Sequence, residues 1–326
     1  QSDIISFYEI AKKSPEFSHK SDIIAKHDAQ RFIVPYFIGL ISYITNIDLF
    51  SIYKVINYFL VFSCLLVIKF VSKKLNLDFR SSIVFFSLFF CNPYTVRYGL
   101  FNPVQVQDMV FFIFGFIISY GILYERNKLI FYFSLLSLFL RQTAIAYLIS
   151  IMLFYFFKIR YFGKKLFFYY LLLGILILYL TIQVGNYMST SNFPISNAYN
   201  LIFYDFSKKE ELLRFLALPL ISFAPLILVL LSEKKVKLNL NLILIFFISL
   251  MMIAQPILGG PLNSGRNVVR IATLCYPVIL VGIFNLYNFS SLLKNNLIFY
   301  TLLLFFHIWS LHPTFSIFDF FGVLRF

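Results

Sequence analysis

A few ionisable side chains stand out in an otherwise apolar chain. They are three aspartates and four arginines, namely Asp3, Asp28, Asp108, Arg97, Arg141, Arg266 and Arg270. Ionisable groups in or beside apolar segments are costly and by default mark a functional cavity. A carboxylate can accept the proton of a hydroxyl nucleophile, and a planar guanidinium holds two phosphate oxygens at once. These residue types predict one cavity that binds a lipid phosphate or pyrophosphate.

Arg141 is the most informative of these residues. It begins the polar triplet Arg-Gln-Thr near the middle of the apolar run 129–157. A single helix over this run would exceed a hydrocarbon core of ~30 Å and would place an arginine near its centre. We therefore predict two short helices, 129–140 and 144–157, that rise from one side of the membrane and fold back. Backbone at that depth is tolerated outside helices only where it is buried or lines a wet cavity, so Arg141 and Gln142 at the apex are predicted to line one.

The composition indicates an integral membrane protein. Hydrophobic residues make up 60% of the chain, charged residues 13%, and the mean hydropathy is +0.83. The net charge of +14 is explained by topology, because the predicted cytoplasmic turns hold half of the 28 cations but few of the 14 acidic residues. No nucleic-acid motif is present. The cysteines Cys64, Cys91 and Cys275 have neither metal-ligand spacing nor an obvious disulfide partner.

The apolar runs predict an all-α polytopic bundle in one domain, 1–326, with about ten membrane segments, several of them short or broken. Besides the pair above, the predicted segments are 49–70, 82–91, 108–124, 166–183, 212–231, 238–254, 271–287 and 296–311. Residues 1–48 are predicted to form a first extracytoplasmic loop with two helices at the membrane surface, and residues 184–211 a second loop. We expect a further transmembrane helix to precede Gln1.

The order of several motifs resembles that of the GT-C superfamily of polytopic glycosyltransferases. An early Asp followed by Tyr and Ala occurs in SDIISFYEIA, and Arg-x-x-x-Pro occurs in RFIVP at residues 31–35. Asn-Pro at residues 92–93 then precedes Asp108 at a helix start, and the broken pair follows. Arg266 and Arg270 come before a late span that contains Pro277. The resemblance covers most of the chain and implies a GT-C-like helical bundle.

The resemblance also implies a function, which is transfer of a sugar from a polyprenyl-phosphate donor to a glycolipid, glycan or protein. The site is expected on the extracytoplasmic face of a bacterial inner membrane. Asp3 matches the family's base, which deprotonates the acceptor hydroxyl, and burial is expected to raise its pKa towards neutrality. Asp28 is the second acidic candidate. Some members of the superfamily use a divalent cation such as Mg²⁺ or Mn²⁺, and others do not.

The remaining candidate residues divide into two groups. The donor phosphate is expected to contact Arg141, Gln142, Arg266 and Arg270. The cavity or the acceptor is expected to contact Asp108, Arg97 and Tyr187. Ordinary structural roles compete with some of these assignments, because Asp28 and Arg31 have the i, i+3 spacing of a helical ion pair, Asp3 could cap or solvate a surface helix, and Asp108 could cap a helix N-terminus.

Two other functions are left open by the sequence. An O-antigen polymerase or ligase also uses arginines to hold lipid-linked sugars, but it usually has a large extracytoplasmic loop late in the chain, whereas here the long loop is early. A flippase or transporter of lipid-linked sugars would be expected to show pseudo-symmetric halves with broken helices at matching positions. The sequence shows one broken pair and no P-loop.

Overall fold

The computed structural model describes residues 2–156, 163–190, 223, 226, 232–258 and 268–311. These residues are mostly helical, which confirms the prediction of an all-α fold. The helices of the first part are α1 (Ser2–Lys13), α2 (Lys26–Ala29), α3 (Ile33–Thr45), α4 (Leu49–Lys74), α5 (Phe79–Phe90), α6 (Val96–Phe101) and α7 (Val106–Leu123), with a 3-10 turn at Pro103–Gln105.

The second part continues this pattern. Its helices are α8 (Asn127–Ser137), α9 (Ile145–Phe156), α10 (Lys164–Met188), α11 (Leu240–Leu258), α12 (Val268–Ala272), α13 (Tyr276–Leu286), α14 (Ser290–Leu293) and α15 (Asn296–Leu311), with 3-10 turns at Gln142–Ala144 and Thr273–Cys275. Two short strands, β1 (Glu233–Lys234) and β2 (Tyr287–Asn288), pair antiparallel with Glu233 opposite Asn288.

Five helical stretches are long and apolar enough to cross a membrane, which identifies an integral membrane protein by length and composition. They are Leu49–Lys74, Pro103–Leu123, Lys164–Met188, Leu240–Leu258 and Val268–Leu286. Shorter apolar helices occupy Ile33–Thr45, Phe79–Phe90, Gln142–Phe156 and Asn296–Ser310. The predicted number of about ten membrane segments is not confirmed, because these helices fall short of the ~20 residues of a full span. The predicted segment 212–231 lies outside the described residues except for positions 223 and 226.

Burial separates the inner helices from the outer ones. Helices α7 and α13 are largely buried and meet α5 in the main hydrophobic core. There the ring centroid of Phe85 lies 6.0 Å from that of Phe116 and 4.9 Å from that of Phe284. Helices α4 and α10 instead bury only 28% of their apolar stretches and expose many large apolar side chains. Such exposed apolar surface on a long helix is suited to contact with lipid tails.

The predicted interruption at Arg-Gln-Thr is present. Helix α8 ends at Ser137, the backbone of Arg141 is extended (φ −152°, ψ 136°), and α9 begins at Ile145 after a short 3-10 turn. Helices α8 and α9 contact each other and both contact α10. This break in the helix places the Arg141 side chain among residues from other parts of the chain.

A second, smaller core fixes the N-terminal helix. Phe7 and Ile10 of α1 pack with Ile38 of α3 and Tyr53 of α4. The approach of α1 to α3 is very close at Gly39, where an added Cβ would lie 2.0 Å from the backbone oxygen of Ala11. This packing sets the position of Asp3, which lies near the start of α1.

Replacing Gly39 with alanine is expected to push α1 away from α3 and to lower the free energy of unfolding by about 1–3 kcal/mol, the usual cost of overpacking. The clash is with backbone atoms, which cannot rotate away. Thermal unfolding in detergent would measure the effect. The matched control is Gly163→Ala, because a Cβ at Gly163 meets nothing within 4 Å. Equal melting temperatures for the two variants would contradict the close packing of α1 on α3.

Candidate functional site

Three aspartates and three arginines from distant parts of the chain meet in one buried group, here called the charged cluster. Its members are Asp3 on α1, Asp28 on α2, Arg31 after α2, Asp108 on α7, Arg141 before α9 and Arg270 on α12. Each is less than a tenth exposed, so the cluster is shielded from solvent. Three negative and three positive charges balance, as a buried set of ions requires.

Arg270 links three helices within the cluster. Its Nη2 donates a hydrogen bond to Asp3 Oδ2 at 2.6 Å, and its Nη1 donates to Tyr98 Oη at 2.6 Å. Its Nε lies 4.0 Å from Asp108 Oδ2. Arg270 therefore connects α12 to α1, α6 and α7 through a single guanidinium group.

Arg141 pairs with Asp108 across the helix break. Its Nε donates a hydrogen bond to Asp108 Oδ1, and its Nη2 contacts the same oxygen. Asp108 is the third residue of α7, whereas the N-cap position belongs to Gln105, so Asp108 does not take the capping role that its sequence position suggested. A carboxylate in the first turn is still favoured by the positive end of the helix dipole.

Arg31 and Asp28 form the i, i+3 ion pair that their spacing suggested. Arg31 Nη2 donates to Asp28 Oδ1, and its Nε donates to the backbone oxygen of His27 at 3.1 Å. His27 Nε2 lies 3.4 Å from Asp28 Oδ1 and 3.8 Å from Asp3 Oδ1. The His27 side chain is 37% exposed. His27 therefore lies between the buried charged cluster and the protein surface.

Asp3, His27 and Asp28 satisfy the distance criterion for a metal site. One ligand atom from each lies within 4.8 Å of the others. Carboxylate and imidazole donors are acceptable to Mn²⁺, and carboxylates to Mg²⁺. However, both carboxylates are already paired with arginines, and a dication would face the positive charges of Arg31 and Arg270. A metal ion here would have to compete with both arginines for the carboxylates.

Several buried polar atoms of the charged cluster lack a hydrogen bond. Among the described residues, Arg31 Nη1, Arg270 Nε and Asp108 Oδ2 have no hydrogen-bond partner. An unpaired buried group costs about 1–3 kcal/mol. Burial and the positive charge of Arg141 lower the pKa of Arg31 to about 10, so the two guanidinium groups repel each other across the site. An anion placed between them would relieve this repulsion and fill the free donors.

The pKa of Asp3 is held well below its usual range. Burial alone would raise it, but the hydrogen bond with His27 and the positive charges of Arg270 and Arg31 outweigh burial. The pKa of Asp3 is therefore lowered, whereas the sequence alone predicted that burial would raise it. The hydrogen bond with His27 and the positive charges of Arg270 and Arg31 together favour the charged carboxylate.

This lowered pKa predicts how stability depends on pH. An ion-paired carboxylate contributes fully above the unfolded-chain pKa of about 3.9, and its contribution is lost as the pH falls through the lower folded pKa. The difference in unfolding free energy between wild type and Asp3→Asn is therefore expected to be constant from about pH 5 to 8 and to shrink only in acid. Thermal unfolding over this range would measure it, with the exposed Asp22→Asn as control. A wild-type advantage that shrinks as the pH rises from 5 to 8 would mean that Asp3 is protonated in the folded protein.

The other predicted site residues lie in different surroundings. Gln142 borders the charged cluster, because its Nε2 donates to the backbone oxygen of His27 at 3.1 Å and also contacts Gln30. Arg97 is half-buried, and its guanidinium carbon lies 5.5 Å from the ring centroid of Phe101. Arg266 lies outside the described residues.

Tyr187 is in the last turn of α10 and not in a loop. Helix α10 continues to Met188, so residues 184–188 of the predicted second loop are helical, and most of the remainder lies outside the described residues. The Tyr187 side chain is 50% exposed, and its ring centroid lies 4.7 Å from that of His19. The isolated bridge between Ser21 and Ser189 also ties this end of α10 to the N-terminal region.

Tyr98 contacts the charged cluster, and this contact was not predicted from the sequence. It lies on α6, between the two Asn-Pro pairs, and it is buried against Arg270 with the guanidinium carbon 5.3 Å from its ring centroid. The chain has 22 tyrosines, and no spacing distinguishes this one. The only available signal was its position in the irregular stretch that separates two apolar helices.

The resemblance to the GT-C superfamily stays a prediction from the order of its motifs. The described residues add a buried cluster of balanced charge with unfilled hydrogen-bond donors. No family model, no curated protein and no solved structure matches this chain.

Proposed function

We propose that this protein is a membrane glycosyltransferase that moves a sugar from a polyprenyl-phosphate-linked donor to a glycolipid, glycan or protein acceptor on the extracytoplasmic face of a bacterial inner membrane. The observation that supports this most is the convergence of Arg31, Arg141 and Arg270 in one buried site of a protein rich in apolar helices. An arginine-lined site in a protein with lipid-facing helices suits a phosphate attached to a polyprenyl chain.

Structural stabilisation alone is a weak explanation for the charged cluster. Replacing buried ion pairs by packed apolar residues is often neutral or stabilising, so six buried charges are unfavourable unless they serve another purpose. A phosphate group would bind the unfilled donors on Arg31 and Arg270. It would also separate the mutually repelling charges of Arg31 and Arg141. The three arginines can thus bind an anion, and the three aspartates balance their positive charge when no donor is bound.

Asp3 is the proposed general base, and donor binding activates it. In the unliganded protein Arg270 holds Asp3 as a weakly basic carboxylate. When the donor phosphate takes the hydrogen bonds of Arg270, Asp3 loses this partner, and its pKa rises towards the range that suits proton abstraction. Asp28 is fully buried and paired with Arg31, so it serves as the second, assisting carboxylate.

The proposed reaction is a single displacement. The acceptor hydroxyl gives its proton to Asp3 while its oxygen forms a bond to the anomeric carbon of the donor sugar. The bond from this carbon to the phosphate oxygen breaks at the same time, and its electron pair leaves with the polyprenyl phosphate. The additional negative charge on the phosphate is stabilised by Arg141 and Arg270, which is the electrostatic contribution expected of such a site.

Sugar transfer by the purified protein would test this proposal. Radiolabelled polyprenyl-phosphate sugars would be incubated with a total membrane glycolipid fraction, and both donor binding and label transfer would be measured. Binding and transfer together are the expected result. Donor binding without transfer into any acceptor would favour a flippase of lipid-linked sugars, and failure to bind any donor would overturn the glycosyltransferase proposal.

A further inference from the structure

Two glutamines next to the charged cluster are buried without hydrogen-bond partners. Gln105 and Gln107 are both 0% exposed. Neither the amide oxygen nor the amide nitrogen of either residue has a partner among the described residues. Buried polar groups are normally paired, as Ser119 of the same helix is by its hydrogen bond to the Gly115 oxygen at 2.7 Å. The two unpaired amides in this short stretch are therefore candidates for contact with a bound ligand.

Both amides lie close in the chain to Asp108 of the charged cluster. Gln105 ends the 3-10 turn Pro103–Gln105 and precedes Asp108 by three residues, a spacing that places the two side chains on one side of a helix. Asp108 contacts Arg141 and faces Arg270. The same turn packs against α1, which carries Asp3. The Gln105 amide therefore lies on the same side of the helix as Asp108, whereas Gln107, two residues further along, faces another side.

We infer that Gln105 binds a hydroxyl group of the sugar that the donor phosphate carries. This inference rests on the proposed function and assigns the sugar-recognition part of the same site. A sugar hydroxyl both donates and accepts a hydrogen bond, which matches the donor and the acceptor of the Gln105 amide. A bare lipid phosphate would leave both atoms of this amide unpaired. Gln105 therefore selects glycosylated lipid over the lipid phosphate product, which favours product release.

Binding of defined lipids to the detergent-purified protein would test the inference. The probes are polyprenyl phosphate without sugar and the same lipid carrying mannose, glucose or arabinose. Wild type is expected to bind at least one glycosylated lipid more tightly than the bare lipid. Gln105→Met is expected to weaken that binding on the order of ten-fold and to leave binding of the bare lipid unchanged, whereas Gln107→Met is expected to change neither. Gln183→Met, at an exposed position of α10, is the matched control and is expected to change neither.

The melting temperature without ligand gives a second readout. Methionine in place of an unpaired buried amide removes no hydrogen bond, so Gln105→Met is expected to melt at the wild-type temperature or above it. A lower melting temperature would show that the Gln105 amide has a structural partner and would overturn the inference. Equal wild-type binding of bare and glycosylated lipids would also overturn it, while leaving the lipid-phosphate site intact. Absence of binding to all four lipids would instead overturn the proposed function, and the inference with it.

Discussion

Replacing Arg141 by methionine is expected to lower the free energy of unfolding by about 3–5 kcal/mol, the usual cost of leaving a buried charge without its partner. Asp108 is only 3% exposed, and Arg141 supplies its close contacts. The Nε of Arg270, at 4.0 Å from the other carboxylate oxygen, is too distant to replace them. Thermal or denaturant unfolding in detergent would measure the loss.

A second substitution separates the structural role of Arg141 from its binding role. In the double variant Arg141→Met/Asp108→Asn the buried charges are again balanced, so most of the lost stability is expected to return. Binding of the donor phosphate is expected to stay weaker by roughly 100-fold, because two charge-assisted hydrogen bonds to the phosphate are still missing. Recovery of donor binding together with stability would contradict a direct contact between Arg141 and the phosphate.

Arg80 provides a matched control for this experiment. Its Nη1 donates to the backbone oxygens of Leu293 and Lys294 at 2.6 and 2.9 Å, and its Nη2 donates to Asn296 Oδ1 at 2.6 Å. Arg80→Met also removes an arginine with several hydrogen bonds, but it does so between α5 and the start of α15. It is expected to reduce stability without changing the affinity for the donor.

Much of the fold could be predicted from the sequence because apolar runs in a membrane protein are long and have clear ends. The predicted segment 296–311 coincides with α15, and the break at Arg141 follows from the cost of an arginine within a span. Contacts over long sequence distances could not be predicted in the same way. Local sequence suggested that Asp108 caps a helix, but its main partner is Arg141, which lies 33 residues further along the chain.

The electrostatics of Asp3 illustrate the same limit. Local sequence shows an acidic residue in the first turn of an amphipathic helix, and burial was the only effect that could be expected there. The partners that reverse the direction of the pKa shift are His27 on a different helix and Arg270, which lies 267 residues away. The presence of an aspartate therefore indicated a possible base. Its protonation state depends on contacts such as the one with Arg270, which are known only from the folded structure.

Replacing Asp3 by asparagine is expected to slow sugar transfer by about 10²–10⁴-fold, the range that general bases contribute, because the acceptor hydroxyl loses its proton acceptor. The affinity for the donor is expected to stay the same or to increase. In wild type the donor phosphate must displace the Asp3 carboxylate from Arg270, whereas an amide competes less strongly for the guanidinium. Turnover and donor dissociation constants, measured on the same preparation, would separate the two effects.

Asp28→Asn is the comparison that tests the assignment of the base. Asp28 is completely buried and paired with Arg31, so its substitution is expected to reduce stability and to affect transfer less than Asp3→Asn does. The Asp3 side chain is 11% exposed and that of Asp28 is 0% exposed, so an acceptor hydroxyl can approach Asp3 more readily. A larger loss of turnover in Asp28→Asn would move the base to Asp28. Equal loss of donor binding and turnover in Asp3→Asn would mean that Asp3 only positions Arg270, since a base acts on turnover and leaves the bound donor in place.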